Sequence, residues 1–405
     1  MRVCNVIQRY PPAVGGSETW AGEVCAKISD RGHEVEVLTL DVLDEDEFWR
    51  EKNTGKKTSA GPAVYEGGVL VRRYHRSLPI HWVHHTLYKA LDEKFGIYFY
   101  GPHSVQMYVD MGRRIAQADL VHAHTIPYPH NFFSFLWSKL LGKRLVITPH
   151  FHPGHPHYER KIFYRLMAGC DAVIAVSDYE KKELARRGVP KEKIYVAGNG
   201  INPASYEPSG LDAFREEFYQ KFCLTADTKL VAFVGRRMEY KGLADLVDAV
   251  DSVNRHTPTR LLLIGPSTPW YDSFYASLPK RKRELVINAG VVPQKDKVNL
   301  LHLSGLLALP SKFEAFGIVF LEAWACGKPV VGSDQGAIPS VIGQDGLTAR
   351  FGDSRDLAEK IRKLLDDAEL AGRMGESGRR KVMEKYTWQR IADQVLAVYE
   401  KVLNP

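Results

Sequence analysis

Residues 2–40 read RVCNVIQRYPPAVGGSETWAGEVCAKISDRGHEVEVLTL, and this stretch decides the fold. The apolar run Arg2–Gln8 predicts a buried strand. The loop Tyr10–Gly16 follows, with paired prolines and paired glycines. Ser17 offers a cap for a helix that runs to about Arg31, and Glu18 adds negative charge to its first turn. Gly32 ends that helix, and Val35–Leu40 predicts the next strand. Strand, helix and strand in that order imply a parallel sheet, because parallel neighbours need a crossover.

The same alternation continues outward. Asp41–Gly68 is polar and reads as a loop or an excursion. Val69–Tyr74, Ala118–Ala123, Leu145–Thr148 and Ala172–Ser177 predict further buried strands, with helical stretches such as Asn131–Leu141 between them. A second series starts near Lys229. Its predicted strands are Leu230–Gly235, Leu261–Gly265, Leu285–Ala289, Leu306–Leu309 and Pro329–Gly332. Its predicted helices are Leu243–Asn254, Lys295–Leu303, Phe316–Ala325, Ser354–Asp366 and Trp388–Val402. Asn199–Gly210, with turns at Pro203 and Pro208, lies between the two series. The expected organisation is two Rossmann-like α/β domains, residues 1–203 and 204–387, with parallel sheets facing a cleft. Open parallel sheets bind ligands at the carboxyl ends of their strands.

Composition bounds the function. The chain has 405 residues, and its 44% apolar and 25% charged content is ordinary for a globular protein. That excludes a disordered, collagen-like or membrane-embedded chain. The 55 Lys and Arg exceed the 48 Asp and Glu by a net charge of +7, too little over this length for a nucleic-acid binder. It is compatible with an anionic substrate or an anionic membrane surface. Cys4, Cys25, Cys170, Cys223 and Cys326 are odd in number and form no C-x-x-C pair, which argues against a disulfide framework or a zinc site. A reducing compartment follows. The start shows no secretory pattern, because Gln8-Arg9 interrupts a short apolar run. The expectation is a cytoplasmic protein, at most peripheral to a membrane.

Three elements carry chemistry. In Lys312-Phe-Glu-Ala-Phe-Gly-Ile-Val-Phe-Leu-Glu322, Glu314 is expected in a turn and Glu322 in the helix after it. Gly317 allows close backbone approach there, and free N–H groups at a helix start suit a phosphate. Ionised carboxylates only accept hydrogen bonds, so the pair can grip hydroxyls. Two idle surface glutamates are the bland alternative, but Glu322 lies among Phe320, Leu321, Ala323 and Trp324. In Phe233-Val-Gly-Arg-Arg-Met-Glu-Tyr-Lys-Gly242, Arg236 and Lys241 follow a strand end at Gly235. Two cations there can neutralise a diphosphate leaving group, against the alternative of a solvated basic turn. The Gly15-Gly16 loop can bring backbone N–H groups to a phosphate. It is not a G-x-G-x-x-G fingerprint, which counts against a nicotinamide enzyme.

In this order the three elements resemble the retaining GT-B glycosyltransferases of family four. Val121-His-Ala-His124, Thr148-Pro-His150, Ala197-Gly-Asn-Gly-Ile201 and the tail from Gly378 to Trp388 extend the resemblance over nearly the whole chain. It implies transfer of a sugar from a UDP-, GDP- or ADP-sugar to a hydroxyl acceptor. That acceptor would be a glycan, a lipid-linked glycan or a small molecule. Arg236 and Lys241 would bind the donor diphosphate, Glu322 the ribose hydroxyls and Glu314 the transferred sugar. Backbone around Phe316, Gly317 and Ile318 would touch sugar or phosphate. Gly15 and Gly16 would let the first loop approach the donor, with Gly235 at the strand end below Arg236. His124 would lie beside the reacting centre, with His150 on the acceptor side. The resemblance implies no metal and no cofactor beyond the donor itself, and it carries helix 388–405 back onto the first domain. Asn202 stands where the family often has Asp, and Ala337-Ile-Pro-Ser340 where it often has a Pro-Glu pair.

Other features admit two readings. His150, His152, His155 and His157 could ligate a metal or line the acceptor cleft. Trp82, Tyr88, Phe95, Tyr98, Phe99, Tyr100 and Tyr108 could stack on sugars or form a helical core face. Phe132–Trp137 with Lys139, Lys143 and Arg144 could touch a membrane, though its place between two strands favours a crossover helix. The basic pairs Arg72-Arg73 and Arg113-Arg114, and the run Lys280–Arg283, could favour anionic lipid or be solvated faces. Rival functions are a nucleotide-sugar epimerase or phosphorylase on a GT-B scaffold, and a non-catalytic sugar-nucleotide binder.

Overall fold

A computed structural model describes residues 1–43, 63–77, 101–151, 153 and 157–404. The chain divides into two units, Met1–Asn199 with Trp388–Pro405, and Gly200–Thr387. The first unit is built on strands β1 (Arg2–Val6), β2 (Glu34–Leu40), β3 (Val64–Glu66), β4 (Val69–Tyr74), β5 (Leu120–His124), β6 (Arg144–Thr148), β7 (Ala172–Ala175) and β8 (Ile194–Val196). They form one sheet in the order β3-β4-β2-β1-β5-β6-β7-β8. All neighbours are parallel except the β3–β4 pair, an edge hairpin whose first strand lies in the stretch read as a loop or an excursion and whose second is the predicted strand Val69–Tyr74. Its helices are α1 (Gly16–Ser29), α2 (Val105–Gln117), α3 (His130–Leu140), α4 (Lys161–Gly169) and α5 (Asp178–Arg186), plus the C-terminal helix Trp388–Leu403.

Alternation along the strands sorts side chains to two faces. Cys4, Val6, Val121, Ala123, Leu145 and Ile147 join Met111, Ile115, Phe163 and Met167 in one core. Asn5, His122, His124 and Thr148 lie on the other face, under Trp20 of α1 and Tyr399 of the C-terminal helix. That helix buries Ile391, Ala392, Val395 and Tyr399 and packs along α1. Ser17 is not the cap expected of it. Helix α1 starts two residues earlier, at Gly16 with Gly15 as the N-cap, and the Ser17 hydroxyl donates to the Glu18 carboxylate at 2.8 Å.

The second unit contains β9 (Lys229–Val234), β10 (Thr259–Ile264), β11 (Val286–Gly290), β12 (Leu306–Leu309), β13 (Val330–Ser333) and β14 (Leu347–Ala349). They form an all-parallel sheet in the order β11-β10-β9-β12-β13-β14. Its helices are α6 (Leu211–Lys221), α7 (Leu243–Asn254), α8 (Pro269–Ser277), α9 (Lys280–Glu284), α10 (Gln294–Leu303), α11 (Ile318–Ala325), α12 (Ile338–Ile342), α13 (Ser354–Asp366) and α14 (Ala368–Lys385). Helix α11 starts two residues later than the sequence implied, because Gly317 is its N-cap with φ 86°. Entry to and exit from this unit run side by side: Ile201 N–H donates to Tyr386 O at 2.8 Å, next to the Ile201–Thr387 bridge.

Both sheets reverse direction once. The chain winds from β1 through β2 to β4, then returns to the other side of β1 as β5. It winds from β9 through β10 to β11, then returns to the other side of β9 as β12. The strand ends at such a reversal are splayed and leave a crevice for ligands. The candidate residues sit at these two reversals.

Candidate functional site

In the second unit the loops after β9 and β12 are pressed together. Gly242 adopts φ 71°, and a Cβ there would lie 2.2 Å from Pro310 O. Lys312 N–H donates to Tyr240 O at 2.7 Å. This seam brings Lys241 Nζ against Glu314 Oε1 in an ion pair, both side chains about one-sixth exposed at 16% and 14%. Ala337 N–H holds Glu314 O at 3.2 Å. Arg236 is exposed at the end of β9, beyond Gly235. Its neighbour Arg237 turns inward, donating to Asn288 Oδ1 at 2.9 Å and Leu263 O at 3.2 Å, over the Tyr271 ring. Burial lowers the Arg237 pKa. It anchors the turn that presents Arg236.

Phe316 is buried, edge-on to Tyr386, and Ile318 opens α11. The first N–H groups of a helix have no intrahelical acceptor. Glu322 lies in α11, 8% exposed. Its Oε1 accepts from Tyr206 OH at 2.9 Å and Lys297 Nζ at 2.8 Å. Its Oε2 is buried without a hydrogen-bond partner among the described residues. Neither Tyr206 nor Lys297 was singled out by sequence. Tyr206 sits in a stretch read as turns, and Lys297 is one of two lysines in helix α10.

In the first unit the loop before α1 is tied at both ends. Arg9 and Glu18 form a buried ion pair at 2.7 Å, and Arg73 Nη2 donates to Pro11 O at 2.6 Å. Gly15 makes room for this: a Cβ there would lie 2.1 Å from Glu18 Oε2. Gly16 begins α1. The structure brings His124 and His150 together, with ring centroids 6.4 Å apart and Trp20 at 5.7 Å from each. His124 Nε2 is 3.1 Å from Asn5 Oδ1, and its Nδ1 is buried with no hydrogen-bond partner among the described residues. His150 has φ 46°.

His122, quoted within Val121–His124 but given no role, and His130, not remarked in the sequence, complete the cluster. His122 bridges Tyr399 OH and Thr148 Oγ1, and His130 Nε2 reaches His124 O at 2.7 Å. Burial lowers His122 to about 3, with His150 adding repulsion, and lowers His130 to about 4. Burial and then the neighbouring imidazoles drive His124 down in the same direction. These three rings are neutral near pH 7. Glu180 also went unremarked. It is fully buried and accepts from Phe151 N–H at 2.7 Å and Val176 N–H at 2.6 Å, stitching the loop after His150 to the end of β7. Burial pushes its carboxyl up to about 7.

The remaining candidates fall differently. His152 and His155 lie outside the described residues, and no group of three or more potential metal ligands occurs among those described. Trp82, Tyr88, Phe95, Tyr98, Phe99 and Tyr100 also lie outside them. Tyr108 is buried and stacked on Phe133 at 3.9 Å. Phe132, Phe133, Phe135 and Trp137 pack on the core as a crossover helix, while Leu136 and Leu140 are exposed. Most of the basic runs are ion-paired within the chain: Arg72 with Glu36, Arg73 with Glu66, Arg281 with Asp251, Lys282 with Asp248. No helix among the described residues is long and apolar enough to cross a membrane.

Two family profiles cover most of the chain. Glycosyltransferase Family 4 matches residues 14–205, and Glycosyl transferases group 1 matches residues 214–381. An alpha-maltose-1-phosphate synthase of Mycolicibacterium smegmatis is 30% identical over 325 residues, 73% of this chain and 82% of that protein. An N-acetyl-alpha-D-glucosaminyl L-malate synthase of Bacillus anthracis is 25% identical over 405 residues, 97% of this chain and 96% of that protein. Among solved structures, Anabaena Alr3699/HepE in complex with UDP has TM-score 0.74 at 18% identity, covering 99% of this chain and 100% of that one. Sucrose-phosphate synthase from Thermosynechococcus elongatus has TM-score 0.71 at 19% identity, covering 100% and 99%.

Proposed function

This chain belongs to the family-four-like glycosyltransferases of the GT-B fold, and from that premise we propose that it moves a sugar from a nucleoside-diphosphate sugar to a hydroxyl with retention at the anomeric carbon. The observation that carries this reading is the strand-end cluster of the second unit. Arg236 and Lys241 are its cations, Glu314 its paired carboxylate, and Glu322 a buried carboxylate with one oxygen unfilled. The cations take up charge as the bond between the anomeric carbon and the β-phosphate oxygen breaks. The acceptor oxygen bonds to that carbon on the same face, and its proton goes to the departing phosphate oxygen. Lys241 is held by Glu314 until donor phosphate competes for it. Glu314 then reaches sugar hydroxyls and Glu322 those of the ribose. Gly15, Gly16, Gly235, Phe316, Gly317 and Ile318 offer backbone to phosphate or sugar.

His124 and His150 are the acceptor-side groups of this reading. As a neutral imidazole with a buried, unfilled ring nitrogen, His124 is suited to hydrogen-bonding rather than to charge pairing. The reaction runs without a metal, the two cations supplying what a Lewis acid would. UDP in the Anabaena structure favours a uridine donor, and malate in the name of the Bacillus relative favours a small-molecule acceptor. The free cysteines Cys4, Cys25, Cys170, Cys223 and Cys326 support a cytoplasmic setting.

The test is a thermal-shift screen with UDP-, GDP- and ADP-sugars without added metal. A ligand that binds only the native state raises Tm. The expected result is a shift with one of them that Arg236→Ala abolishes. Lys241→Ala should lower turnover by a factor on the order of 10² or more with the fold intact, at a lower Tm because Glu314 loses its partner. Wild-type turnover in Lys241→Ala would remove that residue from the mechanism.

A further inference from the structure

Glu322 is loaded on one oxygen only. Tyr206 OH and Lys297 Nζ both donate to Oε1, at 2.9 and 2.8 Å. They come from separate elements, the 3-10 turn Pro203–Tyr206 and helix α10. Each also braces the other, since the Lys297 ammonium lies 5.7 Å over the Tyr206 ring. The turn is fixed in its own right by His302 Nε2 at 2.9 Å from Tyr206 O. The Glu322 side chain is 10% exposed, and its Oε2 is buried without a donor among the described residues.

A carboxylate oxygen buried without a donor is costly, and only a hydrogen-bond donor relieves it. Phosphate oxygens cannot, and they repel it. Vicinal hydroxyls can. We infer that Tyr206 and Lys297 are positioning residues that occupy Oε1 and so dedicate Oε2 to the ribose hydroxyls of the donor. The site then demands a ribonucleotide over its 2′-deoxy counterpart. This rests on the donor-site reading of Glu322 given above. The physical basis is asymmetric: a site built to receive a hydroxyl penalises the ligand that lacks one far more than an apolar pocket penalises a missing methylene. Without Tyr206 and Lys297 the carboxylate is free to swing, and neither oxygen is reserved.

The experiment measures Kd by calorimetry for UDP, GDP and ADP, each beside its 2′-deoxy counterpart, with inorganic pyrophosphate as the ligand that has no ribose. Wild type, Glu322→Gln, Tyr206→Phe, Lys297→Met and Lys297→Arg are compared. For the base that binds, wild type should prefer the ribonucleotide by about tenfold or more. Glu322→Gln should bring that ratio close to one. Tyr206→Phe and Lys297→Met should each lower it about threefold or more while pyrophosphate binding stays unchanged, and Lys297→Arg should keep it. Tyr206→Phe removes a single hydroxyl, so it carries the test even where Lys297→Met does not fold. A ratio unchanged in both, with the Glu322→Gln ratio collapsed, overturns the positioning role alone. A ratio unchanged in Glu322→Gln overturns the donor-site reading and this inference with it. Equal losses for ribo, deoxy and pyrophosphate ligands reduce Tyr206 and Lys297 to a structural role.

Discussion

Gly242 is where one atom governs the arrangement of the site. Its φ of 71° disfavours any other residue by about 1–2 kcal/mol, and the Pro310 carbonyl leaves no room for a Cβ. Gly290 has a similar φ of 74° with nothing within 4 Å of its Cβ position. Both alanine variants therefore bear the backbone cost, and only Gly242→Ala bears the collision. Gly242→Ala should lower Tm well beyond Gly290→Ala and weaken nucleoside-diphosphate binding, because the seam it breaks holds Lys241 beside Glu314. Equal Tm values for the two variants would show that the loops yield freely. The Lys241–Glu314 pair itself is partly buried, so either partner left alone would be a poorly compensated charge.

At the scale of elements, the C-terminal helix supplies part of the first unit's core from the far end of the chain. Tyr399 is fully buried on it and its hydroxyl meets His122 Nδ1. Tyr399→Phe keeps the ring and strands that nitrogen, a loss of about 1–3 kcal/mol. Thermal unfolding followed at Trp20, which lies against His122, should register it as a lower Tm. An unchanged Tm would mean that the imidazole finds another partner. The aromatic helix α3 teaches a related lesson. Phe132, Phe133, Phe135 and Trp137 look like a membrane-seeking run in sequence, but a crossover helix needs just such a face to cover a sheet.

At the scale of the whole molecule, burial of neutral histidines links stability to pH. His122 falls from 6.5 to about 3, His130 to about 4, and His124 moves the same way. The unfolded chain takes up these protons below about pH 6.5 and the folded chain refuses them, so stability is lost as pH falls through that range. Glu180 opposes this, because its raised carboxyl favours the folded state below its unfolded value of 4.5 and loses that contribution as pH rises through about 7. Three imidazoles outweigh one carboxyl, and Tm should fall steadily from pH 7 to pH 5. A flat Tm across that interval would count against neutral burial of the cluster.

The alternation of buried runs with amphipathic segments was enough to set two parallel α/β sheets, because a two-sided strand and its covering helix each leave a local pattern. Arg236, Lys241, Glu314 and Glu322 were legible too, since their residue types at strand and helix ends suggest phosphate and hydroxyl chemistry. The sequence named Arg236 but gave no role to Arg237, because the inward turn of the second guanidinium depends on Asn288, Leu263 and Tyr271 from other strands and helices. The edge strand β3 was lost in a polar stretch, and Ser17 is not the cap, Glu18 pairing with Arg9 across the loop and Gly15 taking the cap position. Tyr206 and Lys297 carried no signal of their own, and neither did Glu180, while His122 was quoted within Val121–His124 without a role. What those residues do is set by partners tens to hundreds of positions away. Only the packing of sheet against helix brings those partners within hydrogen-bonding distance.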